Sequence, residues 1–569
     1  MLNASPLNAV PLNGLASASA EPEYIVRGQS FVWALSVLVG GVNLTAQLTG
    51  TVTVDREEGA AGIAGFDLFI APGVAVVPPD WKGRPVSIDY ISTSQGATTE
   101  ARRYTGQISI ANWNPVSRVL TCECSDQLQQ RVEGMAVPAI DALVGGYWSA
   151  DVFEPVEGRS HWDYARERLS TRQVSLDCSP TGELRVTSWY ATAPHFVFGP
   201  GTTLYQTVDL QQGDLDRTTN RVEIEFSYRY SRLWQRNKEY SWKSPETGLN
   251  SGIGGFCLWR TNSHELPTKS MIEDAAAGNG ETVVNPDYYS LPLTMADPCG
   301  DGNPWVNTFD DLLLGVSWIG ARRWVQVVTE TYRLSLATQA GEGEQSRIVQ
   351  RAAYTVDIED ERAEAWVDEP ILGGNSGTTD LHDDARRNAA MLVGLRAAHT
   401  EIVSAHRETT LTWQVPTSMA LGVDLVHTVE VNDQGARAVG KCRRIVDTFD
   451  LSGGEAITTI SIAVMRGGGA SDPLALPPRL GGLPEHTGQV PPSWVSLPTQ
   501  LGGRLSSPAY DDTLPGFAGN YSSTTSGTEQ FPRRMDAVTD EIPAEDRDEL
   551  LLATDVLYRV GIPNDILEL

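Results

Sequence analysis

DLHDDARRNAAMLVGLRAAHTEIVSAHR (residues 380–407), ETTLTWQVP (408–416), SMALGVDLVHTVEV (418–431), NDQG (432–435) and ARAVGKCRRIVDTFDLSGGEAITTISIAV (436–464) succeed one another almost without interruption. The first piece is rich in Ala and Arg, and Ala385, Ala389, Leu392, Leu395 and Ile402 recur at three-, four- and seven-residue spacings. This predicts a helix with one narrow apolar side. Beyond it apolar and polar residues alternate, with β-branched residues enriched: Leu411, Trp413 and Val415, then Val429 and Val431, then Ile445, then Ile457, Ile460, Ile462 and Val464. Such alternation predicts short strands half buried against a core, with NDQG as a hairpin turn.

Two stretches further upstream complete a pattern. ARRYTGQISIANWNPVSRVLTCECSDQL (101–128) reads as a Gly-containing strand and a second strand ending in an acidic residue, with Gly106, Ile108, Ile110, Leu120, Cys122, Cys124 and Asp126 at the telling positions. HWDYARERLSTRQVSLDCSPTGELRVTSW (161–189) reads as a helix over 161–169 and a hairpin turning at Ser179-Pro180-Thr181-Gly182, with Val174 and Leu176 facing Leu184 and Val186. In this order, the three stretches resemble the baseplate hub proteins of long-tailed bacteriophages, relatives of the hub half of type VI secretion spikes. The resemblance is one of pattern and succession over about two thirds of the chain. It implies a homotrimer whose subunits each contribute two tube-like β domains. Three chains would then offer six positions to a sixfold tail tube and threefold symmetry to a central fibre or spike. The implied neighbours are distal tail and tube proteins, with the tape-measure protein and DNA passing through the lumen. The implied location is the virion tail tip, after assembly in the host cytoplasm.

A chain of 569 residues exceeds what one hydrophobic core supports and divides into about three to five domains. Abundant Gly and Pro with few long helical patterns favour short strands and turns. The fold class expected is mainly β with some α: tube-like β-barrel domains, α+β middle domains and an extended C-terminal tail. A net charge of -29 disfavours stable nucleic-acid binding through a broad basic surface. It suits a solvated surface, or a channel that passes DNA without holding it. No run of apolar residues is long enough for a membrane span, and MLNASPLNAVPLNGLASASAEPE lacks the basic start and apolar core of a signal peptide. The six Cys are too dispersed for a disulfide scaffold, which fits synthesis in the cytosol.

Composition shifts divide the chain. Residues 1–22 read as an N-terminal arm, 23–134 as a first tube-like β domain, and 135–370 as an α+β middle region. That middle region carries a long Asn-, Gly- and Pro-rich insertion over 243–304. Residues 371–466 hold the helix and second β region, 467–540 a Pro/Gly-rich linker, and 541–569 a C-terminal docking helix. Leu550, Leu551, Val556, Leu557 and Val560 would be the partner-binding residues of that helix, so truncation after Arg466 is expected to leave a folded body that no longer recruits its fibre or adaptor.

No motif commits the chain to catalysis. Gly435 to Cys442 has P-loop spacing, but Cys replaces the magnesium-binding hydroxyl, and a hairpin turn and strand replace the strand and helix that cradle phosphate. Cys122 and Cys124 face one side of a strand as small core residues. His399 and His406 stand about 10.5 Å apart along a helix, too far to share a metal ion. The carboxylate pairs Glu57-Glu58, Asp310-Asp311 and Asp383-Asp384 read as ordinary solvated side chains. Tyr228, Tyr230, Trp234, Tyr240 and Trp242 read first as packing and second as a sugar-stacking platform. The reading is therefore a structural, non-enzymatic protein with no catalytic residues, cofactor or metal. The rival readings are a tail-tip hydrolase of cell wall or surface polysaccharide and a sugar-binding adhesin.

Overall fold

The computed structural model describes residues 22–25, 32–94, 96–213, 218–244, 266–295, 302, 305–306, 310–341, 350–360, 376–481, 493–501, 510–519 and 533–569. The arm expected over 1–22 lies outside this set except for its last residue, and so do large parts of the 243–304 insertion.

Antiparallel strands build the first β unit: β1 (Val32–Val39), β2 (Leu48–Glu57), β3 (Ile63–Phe69), β4 (Pro85–Ser94), β5 (Ala97–Asn114) and β6 (Val119–Ser125). Their order in space is β2-β3-β6-β5-β4-β1. Val52 and Val54 are buried between exposed Thr51 and Thr53, so one face meets the core and the other meets water. Cys122 and Cys124 join Val37, Phe66, Ile88 and Leu120 in that core. Gly106 is required where β5 crosses β6, because a Cβ there would stand 2.6 Å from the Ser125 carbonyl oxygen.

Next come α1 (His161–Ser170) and the hairpin of β7 (Val174–Cys178) and β8 (Leu184–Ser188). Leu176 lies opposite Val186 as the turn residues predict, and Gly182 takes the positive φ of 85° that closes the turn. The middle of the molecule is a long ribbon, β9 (Thr219–Lys243) against β11 (Leu313–Ala337), paired from Arg221 opposite Ala337 to Lys243 opposite Gly315. Helix α2 (Lys269–Gly278) and strand β10 (Glu281–Ser290) lie within the expected insertion, and β10 pairs with β11. Strand β12 (Gln350–Asp360) runs parallel to β9.

Helix α3 (Asp384–Ala405) starts on Asp383, whose carboxylate accepts from the Arg386 amide at 2.9 Å. Its apolar stripe differs from expectation. Ala385 and Ala389 are exposed and Leu392 is half-buried, whereas Ala390, Met391, Val393, Gly394, Leu395, Ala398, Ile402 and Val403 are buried. Burial reaches most of the way round because the helix packs on the ribbon residues Phe226, Tyr228 and Leu334 and also meets α1. Gly394 is the closest approach: a Cβ would sit 2.5 Å from the Phe226 ring.

The second β unit comprises β13 (Thr410–Pro416), β14 (Thr428–Asp433), β15 (Ala436–Asp450) and β16 (Glu455–Ala463). Leu411, Trp413, Val415, Val429, Val431, Ile445, Ile460, Ile462 and Val464 all enter one core. Ile457 is only half-buried, because Ile460 lies three positions further on and a two-residue period cannot place both on one face. Neither β unit closes into a barrel among the described residues. The edge of β2 away from β3 is taken by β15 of the second unit, so the two units share one open, continuous sheet.

The C-terminal region departs most from expectation. Only Ala544–Arg547 is helical, and the residues assigned to a docking helix form strand β17 (Leu550–Arg559), parallel to β11. Burial alternates along it: Leu550, Leu552, Thr554, Val556 and Tyr558 turn inward, while Leu551, Ala553, Asp555, Leu557 and Arg559 turn outward. The described parts of the preceding 467–540 segment also pack back. Leu474, Leu476 and Leu480 cover the same core as Tyr558 and Val560, and Leu497, Phe517 and Met535 pack with Trp242 and Trp318.

Candidate assembly site at the seam between the β units

β2 and β15 pair antiparallel, from Thr51 opposite Asp450 to Glu57 opposite Arg444. Behind this seam lies a set of buried charges. Arg103 on β5 grips Asp447 on β15 through two parallel hydrogen bonds of 2.8 Å, both side chains being at most 1% exposed. The Thr458 hydroxyl donates to the same carboxylate at 2.6 Å. Arg56 on β2 and Arg185 on β8 converge on Asp424, at 2.6 and 2.5 Å, and Arg185 also holds Asp177 at 2.7 Å. Arg407, just past α3, holds Glu58 at 2.5 Å. On the outer side Arg444 pairs with Asp55. The first unit, the hairpin, the end of α3 and the second unit are thus tied at one place by charges that desolvation would make costly if left unpaired.

The electrostatics reflect this pairing. Burial opposes the charged form of Asp424, but Arg185 and Arg56 outweigh it and hold its carboxyl well below the ordinary range. Burial likewise works against the Arg103 guanidinium, and Asp447 more than offsets it, so Arg103 lies above its ordinary value. Burial dominates at Asp177, pushed up to about 6 despite Arg185, and at Lys441, pushed down to about 8.

Burial also pushes His399 and His427 down to about 4. An amide nitrogen faces Nδ1 in each ring, Gln173 Nε2 at 2.9 Å for His399 and the Asp424 backbone N–H at 3.0 Å for His427, and neither can accept. Both rings are therefore neutral with Nδ1 accepting. Between pH 6.5 and 4 the unfolded chain binds a proton at His399 that the folded chain refuses, so this residue costs stability as pH falls through that window. His399→Gln keeps an acceptor without the titration. Relative to wild type it should gain on the order of 2 kcal/mol between pH 7 and 4. Chemical denaturation of both proteins at several pH values checks this, and a pH-independent difference would contradict it.

The residues singled out in the sequence scatter. Gly435 closes the β14–β15 turn with φ 85°, and Lys441 lies buried in β15, so no phosphate cradle forms there. Asp383 caps α3 and Glu58 is an ion-pair partner. Tyr228, Tyr230, Tyr240 and Trp242 are core, while Trp234 stands apart, half-buried. Of the proposed docking residues, Leu550 and Val556 pack against the core, Val560 is inside it, and Leu551 and Leu557 are exposed.

Sequence reading missed the seam charges, although a signal is present. Arg56 continues the inward phase of Val52 and Val54, and Asp447 sits between Ile445 and Phe449 on the inward phase of β15. A charge in the core phase of a strand requires a partner.

No protein-family model and no curated protein matches the chain. Solved structures do. A tail protein from Neisseria meningitidis MC58 aligns at 12% identity over 76% of this chain and 96% of its own, with a TM-score of 0.36. A 43 kDa tail protein of a Shewanella oneidensis prophage aligns at 12% identity over 76% and 98%, with a TM-score of 0.35. An Escherichia coli component of the type VI secretion system aligns at 8% identity over 75% and 76%, with a TM-score of 0.26.

Proposed function

We propose that this chain is a structural protein of a phage tail: a baseplate hub, present as a homotrimer at the distal end, that adapts a sixfold tube to a threefold fibre or spike. What supports it is the β2–β15 seam, which lays two β units side by side in one continuous sheet within a single chain. Three such chains would supply six β units to a ring. In this reading residues 23–134 and 371–466 are the two tube-facing pieces, and 135–370 bridges them. The net charge of -29 suits a lumen through which DNA and the tape-measure protein pass without adhering. The role is non-enzymatic. Contact with a neighbouring tail protein narrows to Leu551 and Leu557 of the five residues first assigned to it, since these two remain exposed.

Electron microscopy of the purified chain, together with its mass in solution, tests the proposal. The expected result is a three-subunit ring around an open axis, with each subunit contributing two β units. A chain that stays monomeric at high concentration and forms no ring overturns it.

A further inference from the structure

Half-way along the ribbon, Trp234 on β9 and Trp324 on β11 lie directly opposite each other, with ring centroids 5.8 Å apart and planes 5° from parallel. They form one wall of a cleft of about 370 Å³ between the ribbon and residues 540–542. Both indole N–H groups are anchored, Trp234 to the Gln326 side chain at 2.9 Å and Trp324 to the Asp546 carbonyl at 2.8 Å, so the rings are held in place. Lys238 and Arg236 line the same cleft, with Lys238 3.0 Å from Asp540, whose side chain is largely exposed. Glu281 also lines it. This residue is 7% exposed, one carboxyl oxygen accepts from the Tyr240 hydroxyl at 2.9 Å, and the other is buried with no hydrogen-bond partner among the described residues.

We propose that this cleft is a binding site for a neutral oligosaccharide built of hexose or N-acetylhexosamine units. A sugar ring presents an apolar C–H face, which suits an indole wall, and an equatorial rim of hydroxyls, which both donate and accept. Glu281 and Asp540 offer acceptors for that rim, and Lys238 and Arg236 offer donors. Cations and carboxylates intermixed over so short a span fit a neutral hydroxyl-rich ligand better than a phosphate, which would meet the carboxylates, or an apolar one, which would strand the charges. The site lies away from the seam and is independent of the hub reading, so either can fail alone.

The test is intrinsic Trp fluorescence and titration calorimetry of the full chain with maltotriose, cellotriose and tri-N-acetylchitotriose at millimolar sugar. At least one should bind saturably and change the Trp emission. Trp234→Ala and, separately, the isosteric Glu281→Gln should each weaken that binding about tenfold or more, with thermal melts confirming that the variants fold. If none of the three sugars binds, or if binding survives both substitutions unchanged, the proposal is overturned.

Discussion

A chain ending at Arg466 should fail to fold. The truncation removes Tyr558, Val560 and Ile562 from the core that α3 and the ribbon share, and Leu497, Phe517 and Met535 from the cluster around Trp242 and Trp318. Fully burying one large apolar side chain contributes about 1.5 to 3 kcal/mol. Six such residues therefore supply on the order of 10 kcal/mol, comparable with the whole net stability of a typical domain, about 5 to 15 kcal/mol. The cut also strips β17 from β11 between Val328 and Ala337, exposing a strand edge that invites aggregation. Soluble yield, gel filtration and a thermal melt check this: the truncated chain should be insoluble, or soluble without a cooperative transition. A soluble product melting within a few degrees of wild type would show that the C-terminal region is the dispensable appendage its composition suggests. A second chain ending at Glu549 separates the contributions, since it retains Leu497, Phe517 and Met535 and loses only β17 and the residues after it.

The mistaken helix has a physical origin. In LLLATDVLYRV apolar residues occupy both phases of a strand, so a two-residue period is masked, and Glu545 with Asp546 marks a true helix start whose helix ends already at Arg547. The partner that decides the matter, β11, lies more than 200 residues upstream and leaves no local trace. The Pro/Gly-rich stretch before it misleads similarly, because scattered Leu, Phe and Met residues can cover a core without forming a periodic element. Where burial is one-sided, the pattern is legible: β2, β13 and β14 alternate cleanly, and the 174–188 hairpin is written in its turn residues. Helix α3 is legible as a helix but not in its orientation, since a helix covered on several sides has no single stripe to read. The seam is half-legible. Arg56 and Asp447 advertise a buried charge by their phase, but which cation meets which carboxylate depends on β5 lying behind β15, a fact of three dimensions.

Asp447→Ala is expected to cost about 3 to 5 kcal/mol, because it leaves Arg103 charged, buried and without its bidentate partner. The Thr458 hydroxyl is left with the Thr417 hydroxyl at 3.0 Å, and among the described residues the Leu421 carbonyl, 3.3 Å from Arg103, remains to receive the guanidinium. The contrast with Arg444→Ala decides whether burial is the cause. Arg444 makes an even shorter pair with Asp55, 2.5 Å, across the same seam, but there both side chains are substantially exposed, and its loss should cost no more than about 1 kcal/mol. The double change Arg103→Met with Asp447→Leu removes both charges together and should recover most of the stability lost by Asp447→Ala alone. Urea denaturation of the three variants supplies the comparison. Equal losses for Asp447→Ala and Arg444→Ala, or a double variant no better than the single one, would show that the buried pair is not what holds the seam. If the seam sets the angle at which one chain presents its two β units, the double variant should also form the ring expected of a hub, while the single variant, with its units loosened, should not.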